Sequence, residues 1–343
     1  DTRETLPQPG AMTNLREVAE RAGVSVATAS RVATRSTSVR PQTRERVERA
    51  MRDLLYVPPR GKAPTGAIGL LVPELANPVF PALAQAMEAN ATRAGLASIL
   101  CNTAGSPLRE ADYVHMLLER RVDGMIFISS EVTDLRSSHS HYVRLLDEGA
   151  KLVFVNGASP TLQVTSVGVD ERAAGRLATE HLLALGHTLI AFAAGPEHTQ
   201  PTRQKRAGYE AALLEAGLEP EDEFVQHHGF DARAGRKALR RLLALQQRPT
   251  GVICSNDLVA VGVLQEAIAQ GLGVPEELSV VGFDGVAAAW TQPPLTTVEQ
   301  PIEEIAETAI NALLALIGQP DIELPDFVFR PRLRLGETTA PAT

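Results

Sequence analysis

Small polar side chains and one arginine recur at helical spacing over residues 25–34. If this stretch is a helix, one face is apolar and the opposite face carries only small or polar residues and Arg31. Such a face can approach base edges and phosphates of a nucleic acid closely, because short side chains leave room for the duplex. The residues that this pattern places on the outward face are Val26, Ala27, Ser30, Arg31 and Thr34.

Two further helical patterns surround this stretch and indicate how it is held. Residues 15–22 carry one apolar stripe at i, i+3, i+4 and i+7 spacing. Gly23 then permits the positive φ that ends a helix, and Ser25 is a favourable N-cap for the next one. A third helix is expected from Pro41, burying Val47, Met51 and Leu54. The pattern predicts a helix-turn-helix, with a small helical bundle that has no role in DNA binding as the alternative.

The charge distribution favours the first interpretation, although the net charge of the whole chain is −8. Residues 1–65 carry 12 basic and 7 acidic side chains, a formal charge of +5. The remaining residues carry 21 basic and 34 acidic side chains, a formal charge of −13. A basic segment on an acidic chain attracts the phosphates of DNA to the part of the chain that contains the helix predicted over residues 25–34.

Composition narrows the class of protein. A hydrophobic content of 44% over 343 residues suits a globular chain of two or three domains. We expect no membrane span, since no run of about 18 apolar residues occurs, and no secretory signal, since no basic start precedes an apolar stretch. Cys101 and Cys254 lie in apolar runs and are expected to be buried thiols in a reducing cytoplasm.

Beyond residue 66 the chain alternates apolar runs with amphipathic stretches. The predicted strands are Ile68–Val72, Ala97–Leu100, Gly124–Ile128, Leu152–Val155, Leu189–Ala193, Gly251–Cys254 and Ser279–Phe283. The predicted helices include Val79–Ala94, Glu171–Leu185, Arg203–Ala216 and Leu258–Gln270. Apolar strands that alternate with helices predict an α/β fold with parallel sheets covered on both faces.

Ligands of such sheets bind beyond the carboxyl ends of the strands. The residues at those positions are polar or turn-forming: Pro73, Glu74, Asn102, Ser129, Ser130, Asn156, Gly195, Asn256, Asp257, Asp284 and Gly285. They form the candidate ligand site.

Nine motifs in this sequence point to one family: LREVAERAGVSVATASRV, RERVERAMRDLLYVP, NPVF, RRVDGMIF, GRLATEHLLALGH, AAGP, CSNDLVAVGVL, ELSVVGFDG and PPLTTVEQP. From Thr13 to Pro341 the chain resembles the lactose-repressor/galactose-repressor (LacI/GalR) family. The resemblance implies an all-α helix-turn-helix DNA-binding domain at 12–58, a linker at 59–66, and an effector-binding and dimerisation domain at 67–343. That last domain would resemble a periplasmic sugar-binding protein with two subdomains, about 67–165 with 297–325 and about 166–296 with 326–343.

The resemblance also implies a bacterial transcription factor that acts as a homodimer on a pseudo-palindromic double-stranded DNA operator. A tetramer is the alternative, but no leucine heptad follows Arg334, which favours the dimer. No cofactor and no membrane partner are expected.

By the same resemblance, Val26 and Ala27 occupy positions that set base specificity, and Arg31 occupies a base-contacting position. Apolar side chains favour contact with thymine methyl groups over bidentate hydrogen bonds. Ser25, Thr28 and Ser30 suit phosphate oxygens, and helix capping by the first two is compatible with that role.

The linker departs from the family pattern. Members of the family usually have a hinge helix here, whose exposed leucine wedges into the minor groove. Residues 57–66 contain three prolines, two glycines and no leucine, which disfavours a helix. We therefore predict a stiff, extended connector, with half-site spacing set by dimer geometry alone.

The resemblance assigns effector binding to Phe80, Asn156, Lys205, Phe230, Asn256, Asp284 and Gln300. Among these, Phe230 would stack on the apolar face of a sugar. Lys205 stands where arginine is usual, with Arg203 and Arg206 nearby. A sugar is the expected effector, and the three clustered cations leave a phosphorylated sugar, a nucleoside or another anion open.

We expect no enzyme activity, since no nucleophilic triad or paired-carboxylate spacing stands out. His139 and His141 lie in a serine-rich loop, and no metal site is predicted there. Three functions remain open. The first is a ligand-responsive regulator, and in this family such regulators are most often repressors of carbohydrate-utilisation genes. The others are a solute-binding or sensor protein with weak DNA binding and an enzyme on a related scaffold. The helix-turn-helix and the lack of an export signal favour the first.

Overall fold

Two units with different architectures make up the chain, residues 1–64 and residues 65–343. The computed structural model describes residues 15–33, 39–53, 65–157, 159, 162–287, 290–319 and 322–342. Of the predicted linker at 59–66, only Thr65 and Gly66 belong to the described residues. No helix among the described residues is both long and apolar enough to cross a bilayer.

Three short helices build the first unit: α1 (Leu15–Ala22), α2 (Val26–Ala33) and α3 (Pro41–Asp53). Their apolar stripes meet in one core, which contains Val18, Ala19, Ala22, Ala29, Val32, Val47, Ala50 and Met51. The three predicted helices are therefore confirmed. Leu54, predicted for this core, lies outside the described residues.

The turn between α1 and α2 forms as the sequence predicts. Gly23 has φ of +62°, and the backbone N–H of Val24 donates to the carbonyl of Ala19 at 3.0 Å, which closes α1. The Ser25 hydroxyl accepts a hydrogen bond from the backbone N–H of Thr28 at 3.1 Å, which caps α2. This local geometry fixes where α2 begins.

Two six-stranded sheets build the second unit. The strands of the first sheet are β1 (Ala67–Val72), β2 (Ala97–Asn102), β3 (Gly124–Ile128), β4 (Leu152–Val155), β5 (Thr165–Val169) and β11 (Phe327–Phe329). The strands of the second are β6 (Ile190–Ala194), β7 (Val225–His227), β8 (Gly251–Cys254), β9 (Ser279–Asp284), β10 (Thr296–Glu299) and β12 (Arg332–Arg334).

The two sheets repeat one topology. Their strand orders are β2-β1-β3-β4-β5-β11 and β7-β6-β8-β9-β10-β12. Neighbouring strands are parallel except β10 and β12, which pair antiparallel. The seven predicted strands are present, each within two residues of its predicted ends, so the predicted α/β fold with parallel sheets is confirmed.

The chain passes between the sheets three times, after β5, after β10 and after β11. These passages lie a few residues further along the chain than the predicted subdomain boundaries near 165, 296 and 325. The reason is strand pairing: β5 pairs with β4 and β11 with β5 in the first sheet, whereas β10 pairs with β9 in the second.

Helices cover both faces of each sheet. On the first sheet, α4 (Val79–Arg93) and α11 (Ile302–Gly318) pack on one face, and α5 (Pro107–Glu119) and α6 (Ser140–Asp147) pack on the other. On the second sheet, α9 (Ala232–Leu243) and α10 (Asp257–Ala269) face α7 (Glu171–Ala184) and α8 (Gln200–Glu215) across the strands. Each sheet therefore has its own three-layer core.

Helices α7 and α8 approach each other through glycine. Gly175 faces the backbone carbonyl of Lys205, and Gly208 faces the backbone carbonyl of Arg172. A Cβ atom at either position would lie well inside van der Waals contact with that carbonyl oxygen. Glycine therefore sets the separation of the two helices.

We expect Gly208→Ala to lower the free energy of unfolding by about 1–3 kcal/mol, because the added methyl group overpacks the α7–α8 contact. Urea denaturation followed by circular dichroism measures this change. Gly318→Ala is the matched control, since this helical glycine has no heavy atom within 4 Å of an added Cβ. Alanine there should leave stability unchanged or raise it slightly; equal destabilisation by both substitutions would contradict the packing argument.

Candidate functional site

The outer face of α2 is the first candidate site. Val26 is 45% exposed, and Ser25, Ala27 and Arg31 are also exposed. Thr28 and Ser30 are half-buried at the edge of this face. Thr34 lies outside the described residues. The structure thus brings the other six predicted DNA-contacting residues onto one side of α2.

The polar residues at the start of α2 are held in position by one another. The hydroxyl groups of Ser25 and Thr28 lie 2.9 Å apart, in addition to the capping bond between the two residues. Beyond them the exposed surface consists of the short side chains of Val26 and Ala27, followed one turn later by Arg31. A helix face of this kind can lie close to a groove floor while its arginine reaches a base edge or a phosphate.

The second candidate site is a cavity of about 530 Å³ in the second unit. Its lining comes from both sheets, at the points where β1, β3, β4, β8 and β9 reach their carboxyl ends. All seven residues predicted to bind the effector line it: Phe80, Asn156, Lys205, Phe230, Asn256, Asp284 and Gln300. Asn156, Asn256 and Asp284 were also predicted from their positions at strand ends, whereas the other four were assigned by the family resemblance alone.

A chain of side-chain hydrogen bonds crosses the cavity between the sheets. The amide of Asn156, after β4, donates to Oε1 of Gln300 at 3.0 Å. The amide of Gln300, just after β10, donates to Oδ1 of Asp284 at 2.7 Å. Since Asn156 follows a strand of the first sheet and Asp284 ends a strand of the second, Gln300 connects the two halves.

Three residues that line the cavity each have one buried polar atom with neither a hydrogen-bond nor an ion-pair partner among the described residues: Oδ1 of Asn156, Oδ2 of Asp284 and Oγ of Ser255. Each of these residues is more than nine-tenths buried. Buried polar atoms without a partner cost free energy, and two of the three accept but do not donate when Asp284 is ionised. A ligand that donates hydrogen bonds would satisfy them.

The backbone at the same positions is strained. Asn156 has φ of +57°, Asp284 of +115° and Ser129 of +45°, and all three line the cavity. Residues other than glycine rarely adopt such values, and they persist where the surrounding fold enforces them, often at ligand sites.

Both polar groups of the Asn256 side chain form hydrogen bonds with the protein backbone. Its Oδ1 accepts from the backbone N–H of Val259 at 2.8 Å, which caps α10. Its amide donates to the backbone carbonyl of Phe230 at 2.9 Å. Asn256 therefore positions Phe230, a half-buried aromatic residue that lines the cavity.

Lys205 is buried and neutralised. Its ammonium group pairs with the carboxylate of Glu171 and lies 3.7 Å above the centroid of the Phe283 ring. Burial raises the pKa of Glu171 above its ordinary value, while the charge of Lys205 opposes that change. Lys205 thus already has an anionic partner in the wall.

The other two cations of residues 203–206 do not line the cavity. The guanidinium of Arg203 donates to the backbone carbonyl of Glu197, and that of Arg206 pairs with Glu210 and Asp222. Of the three cations that left an anionic effector open, only Lys205 therefore lies at the cavity. Adjacent positions on a helix point in different directions, which separates these side chains.

Carboxyl groups dominate the charge of the cavity. Its lining includes one lysine and the acidic residues Glu74, Glu110, Glu131, Asp134, Glu171 and Asp284. Burial, then the neighbouring Asp257, raises the pKa of Asp284 well above its ordinary value. Hydrogen bonding from Arg136 instead lowers the pKa of Asp134 to about 2. The cavity is therefore unfavourable for an anion.

Four of these carboxylates were not predicted: Glu110, Glu131, Asp134 and Glu171. A usable signal existed for Glu171, which starts α7 immediately after β5, a strand that the apolar pattern did not predict. The other three come from loops and helix ends beyond β2 and β3, where spacing gives no sign of tertiary proximity.

Comparison with known proteins agrees with this architecture. The sequence model of bacterial regulatory proteins of the LacI family matches residues 14–59, and that of a periplasmic binding protein-like domain matches residues 179–339. A relative from Streptomyces limosus, described as an uncharacterized HTH-type transcriptional regulator in the aml 5' region, is 39% identical over 346 residues. The match covers 98% of this chain and 98% of the relative.

Two solved structures share this fold over nearly their whole length. The complex of the transcriptional regulator CelR with cellobiose has a TM-score of 0.74 at 30% identity, covering 95% of this chain and 99% of the other. A LacI family regulator from Enterococcus faecium with bound ribose has a TM-score of 0.72 at 28% identity, covering 81% and 100%. This chain belongs to the LacI family of bacterial DNA-binding transcriptional regulators.

Proposed function

We propose that this protein represses carbohydrate-utilisation genes and that an uncharged saccharide, bound in the cavity between the two sheets, controls its binding to DNA. The observation that carries the proposal is the set of three buried, unpartnered polar atoms in a cavity rich in carboxylates. Hydroxyl groups of a sugar donate hydrogen bonds to such atoms without adding negative charge. The cellobiose and ribose complexes of related regulators support a saccharide.

On the DNA side, the proposal places the outer face of α2 in the major groove. Val26 and Ala27 contact thymine methyl groups, and Arg31 contacts a base edge. Ser25, Thr28 and Ser30 contact phosphate oxygens and fix the register of the helix on the duplex. The proposal also includes Thr34 as a DNA contact.

On the effector side, Phe230 stacks on the apolar face of a sugar ring. Phe80 lines the cavity from the subdomain of the first sheet. Asn156, Asp284 and Gln300 bind hydroxyl groups through the hydrogen-bonded chain that joins the sheets. Asn256 holds Phe230 in place, and Lys205 acts through Glu171 rather than as a binding site for an anion. A phosphorylated sugar is disfavoured, because the one lysine in the lining is already paired with Glu171, while carboxylates such as Asp134, whose pKa is lowered, would repel the phosphate.

We further propose a cytoplasmic homodimer that binds a pseudo-palindromic operator. Large apolar side chains are exposed on both subdomains, among them Leu100 and Leu108 on the first and Ile268 and Trp290 on the second. Association of two copies would cover such residues. The proposal gives the cavity a binding role alone, without a chemical reaction.

We expect Arg31→Ala to weaken operator binding about 10- to 100-fold, since an arginine contact to a base contributes about 1–3 kcal/mol. Fluorescence anisotropy with the upstream region of the gene, at one fixed salt concentration, measures this change. Arg241→Ala removes the same charge from an exposed position on α9 and should leave affinity unchanged. If the unmodified protein shows no sequence-selective binding, the solute-binding alternative replaces the proposal.

We expect uncharged sugars to raise the melting temperature and their phosphorylated counterparts to leave it unchanged, because ligand binding to the folded state stabilises it. The screen pairs glucose with glucose 6-phosphate and ribose with ribose 5-phosphate, and includes cellobiose. A larger shift with a phosphorylated member of a pair would contradict the charge argument.

With the best sugar from that screen, Phe230→Leu should weaken binding roughly 3- to 10-fold through loss of ring stacking. Isothermal titration calorimetry measures the affinity. Phe329→Leu is the matched control, because this half-buried aromatic residue of β11 does not line the cavity. Similar losses in both variants would indicate a general effect on stability rather than a contact with the sugar.

We expect the operator to be bent by less than about 20°, because residues 57–66 contain no leucine to wedge into the minor groove. A circular-permutation gel-shift assay measures the bend. A sharp kink at the central base step would show that this short, proline-rich linker nevertheless intercalates.

A further inference from the structure

A second group of ligand-type side chains lies at the wall of the cavity, and none of its members belongs to the seven residues assigned to the effector. Glu110 lies on α5, Glu131 in a short 3-10 helix after β3, and His141 on α6. One oxygen or nitrogen atom from each lies within 4.8 Å of the other two. Three separate segments of the chain therefore converge on one point.

The separations within this group leave room for an ion. Nε2 of His141 is 4.0 Å from a carboxylate oxygen of Glu110 and 4.0 Å from one of Glu131. Both distances are too long for a hydrogen bond. Since the two carboxylate oxygens lie within 4.8 Å of each other, a point equidistant from the three atoms lies about 2.0–2.5 Å from each, within the 2.0–2.6 Å of common metal–ligand bonds.

The surrounding residues orient two of the three side chains. The hydroxyl of Tyr142 donates to one carboxylate oxygen of Glu110, and the backbone N–H of Glu131 donates to the other at 3.3 Å. The ring of His141 lies against that of Tyr142, with centroids 3.8 Å apart. Outer hydrogen bonds of this kind hold metal ligands in fixed orientations.

Charge favours a cation at this point. Glu110 is only 3% exposed, and a second carboxylate beside it in a partly buried wall is unfavourable without a counter-charge. One imidazole, even when protonated, balances only one of the two carboxylates. A divalent ion balances both.

We propose that Glu110, Glu131 and His141 bind a divalent transition-metal ion at the wall of the cavity. One nitrogen and two carboxylate oxygens favour Zn²⁺, Co²⁺ or Mn²⁺ over Mg²⁺ and Ca²⁺, which prefer oxygen ligands alone. Glu110 and Glu131 line the cavity and His141 does not, so the ion would lie within the wall.

Equilibrium binding of CoCl₂ to the full-length, chelator-stripped protein without an affinity tag tests this proposal. We expect one Co²⁺ per chain, with at least tenfold weaker binding in His141→Ala and in Glu131→Gln. His139→Ala is the matched control: it removes a histidine two residues away that is not part of the group, and it should bind as the unmodified protein does.

Melting temperatures in metal-free buffer verify that each variant is folded, and Glu131→Gln retains the shape of the side chain if His141→Ala proves unstable. The proposal is overturned if no stoichiometric Co²⁺ binding occurs, or if binding persists unchanged in folded His141→Ala and Glu131→Gln. It is also overturned if His139→Ala weakens binding as much as His141→Ala does. This test is independent of DNA and sugar binding.

Discussion

The hydrogen bonds of Gln300 join the two sheets of the second unit at the cavity, and the geometry of the ligand site depends on them. Its amide lies just beyond β10, where the chain leaves the second sheet for the first, and it joins Asn156 to Asp284. Both partners have positive φ, a strained conformation that the fold maintains. Each partner also keeps one buried oxygen without a partner, and both residues line the cavity. The same three side chains, Asn156, Asp284 and Gln300, therefore both connect the sheets and provide hydrogen-bonding groups for a ligand.

The wall opposite this chain depends on backbone packing. Gly175 and Gly208 allow α7 and α8 to approach until Glu171 and Lys205 pair in a buried position. A buried ion pair is costly to form and costlier to break, so the pair contributes specificity more than stability. The ammonium group of Lys205 already forms an ion pair with Glu171 and a cation–π contact with Phe283. The other charged groups that line the cavity include several carboxylates. The class of ligand therefore follows from helix packing as much as from the residues that line the cavity.

Local patterns in the sequence predicted the elements whose signal is strong. The buried strands β3, β4 and β8 have their predicted bounds, and α2 begins where Ser25 can cap it. Strands β5, β7, β10, β11 and β12 were not predicted, because they are short or contain polar residues that the pairing of neighbouring strands overrides. Three of the effector positions, Asn156, Asn256 and Asp284, could be found from strand ends, and the other four only from the family resemblance. The partners of Lys205, Arg203 and Arg206 could not be found from the sequence. Those partners depend on the direction of each side chain in the folded helix, which spacing alone does not give.

A ligand changes a conformational equilibrium only through a difference in its affinity for the two states. The unpartnered oxygen of Asn156 follows a strand of the first sheet, and those of Ser255 and Asp284 follow strands of the second. Under the proposed function, a sugar that donates to both sets would stabilise an arrangement in which the sheets are close, whereas one that donates to a single set would bind without favouring either arrangement. Coupling energies in regulatory proteins are about 1–3 kcal/mol, the range of one or two such hydrogen bonds. The geometry therefore separates binding from signalling: two sugars of equal affinity can differ in effect if only one of them bridges the sheets.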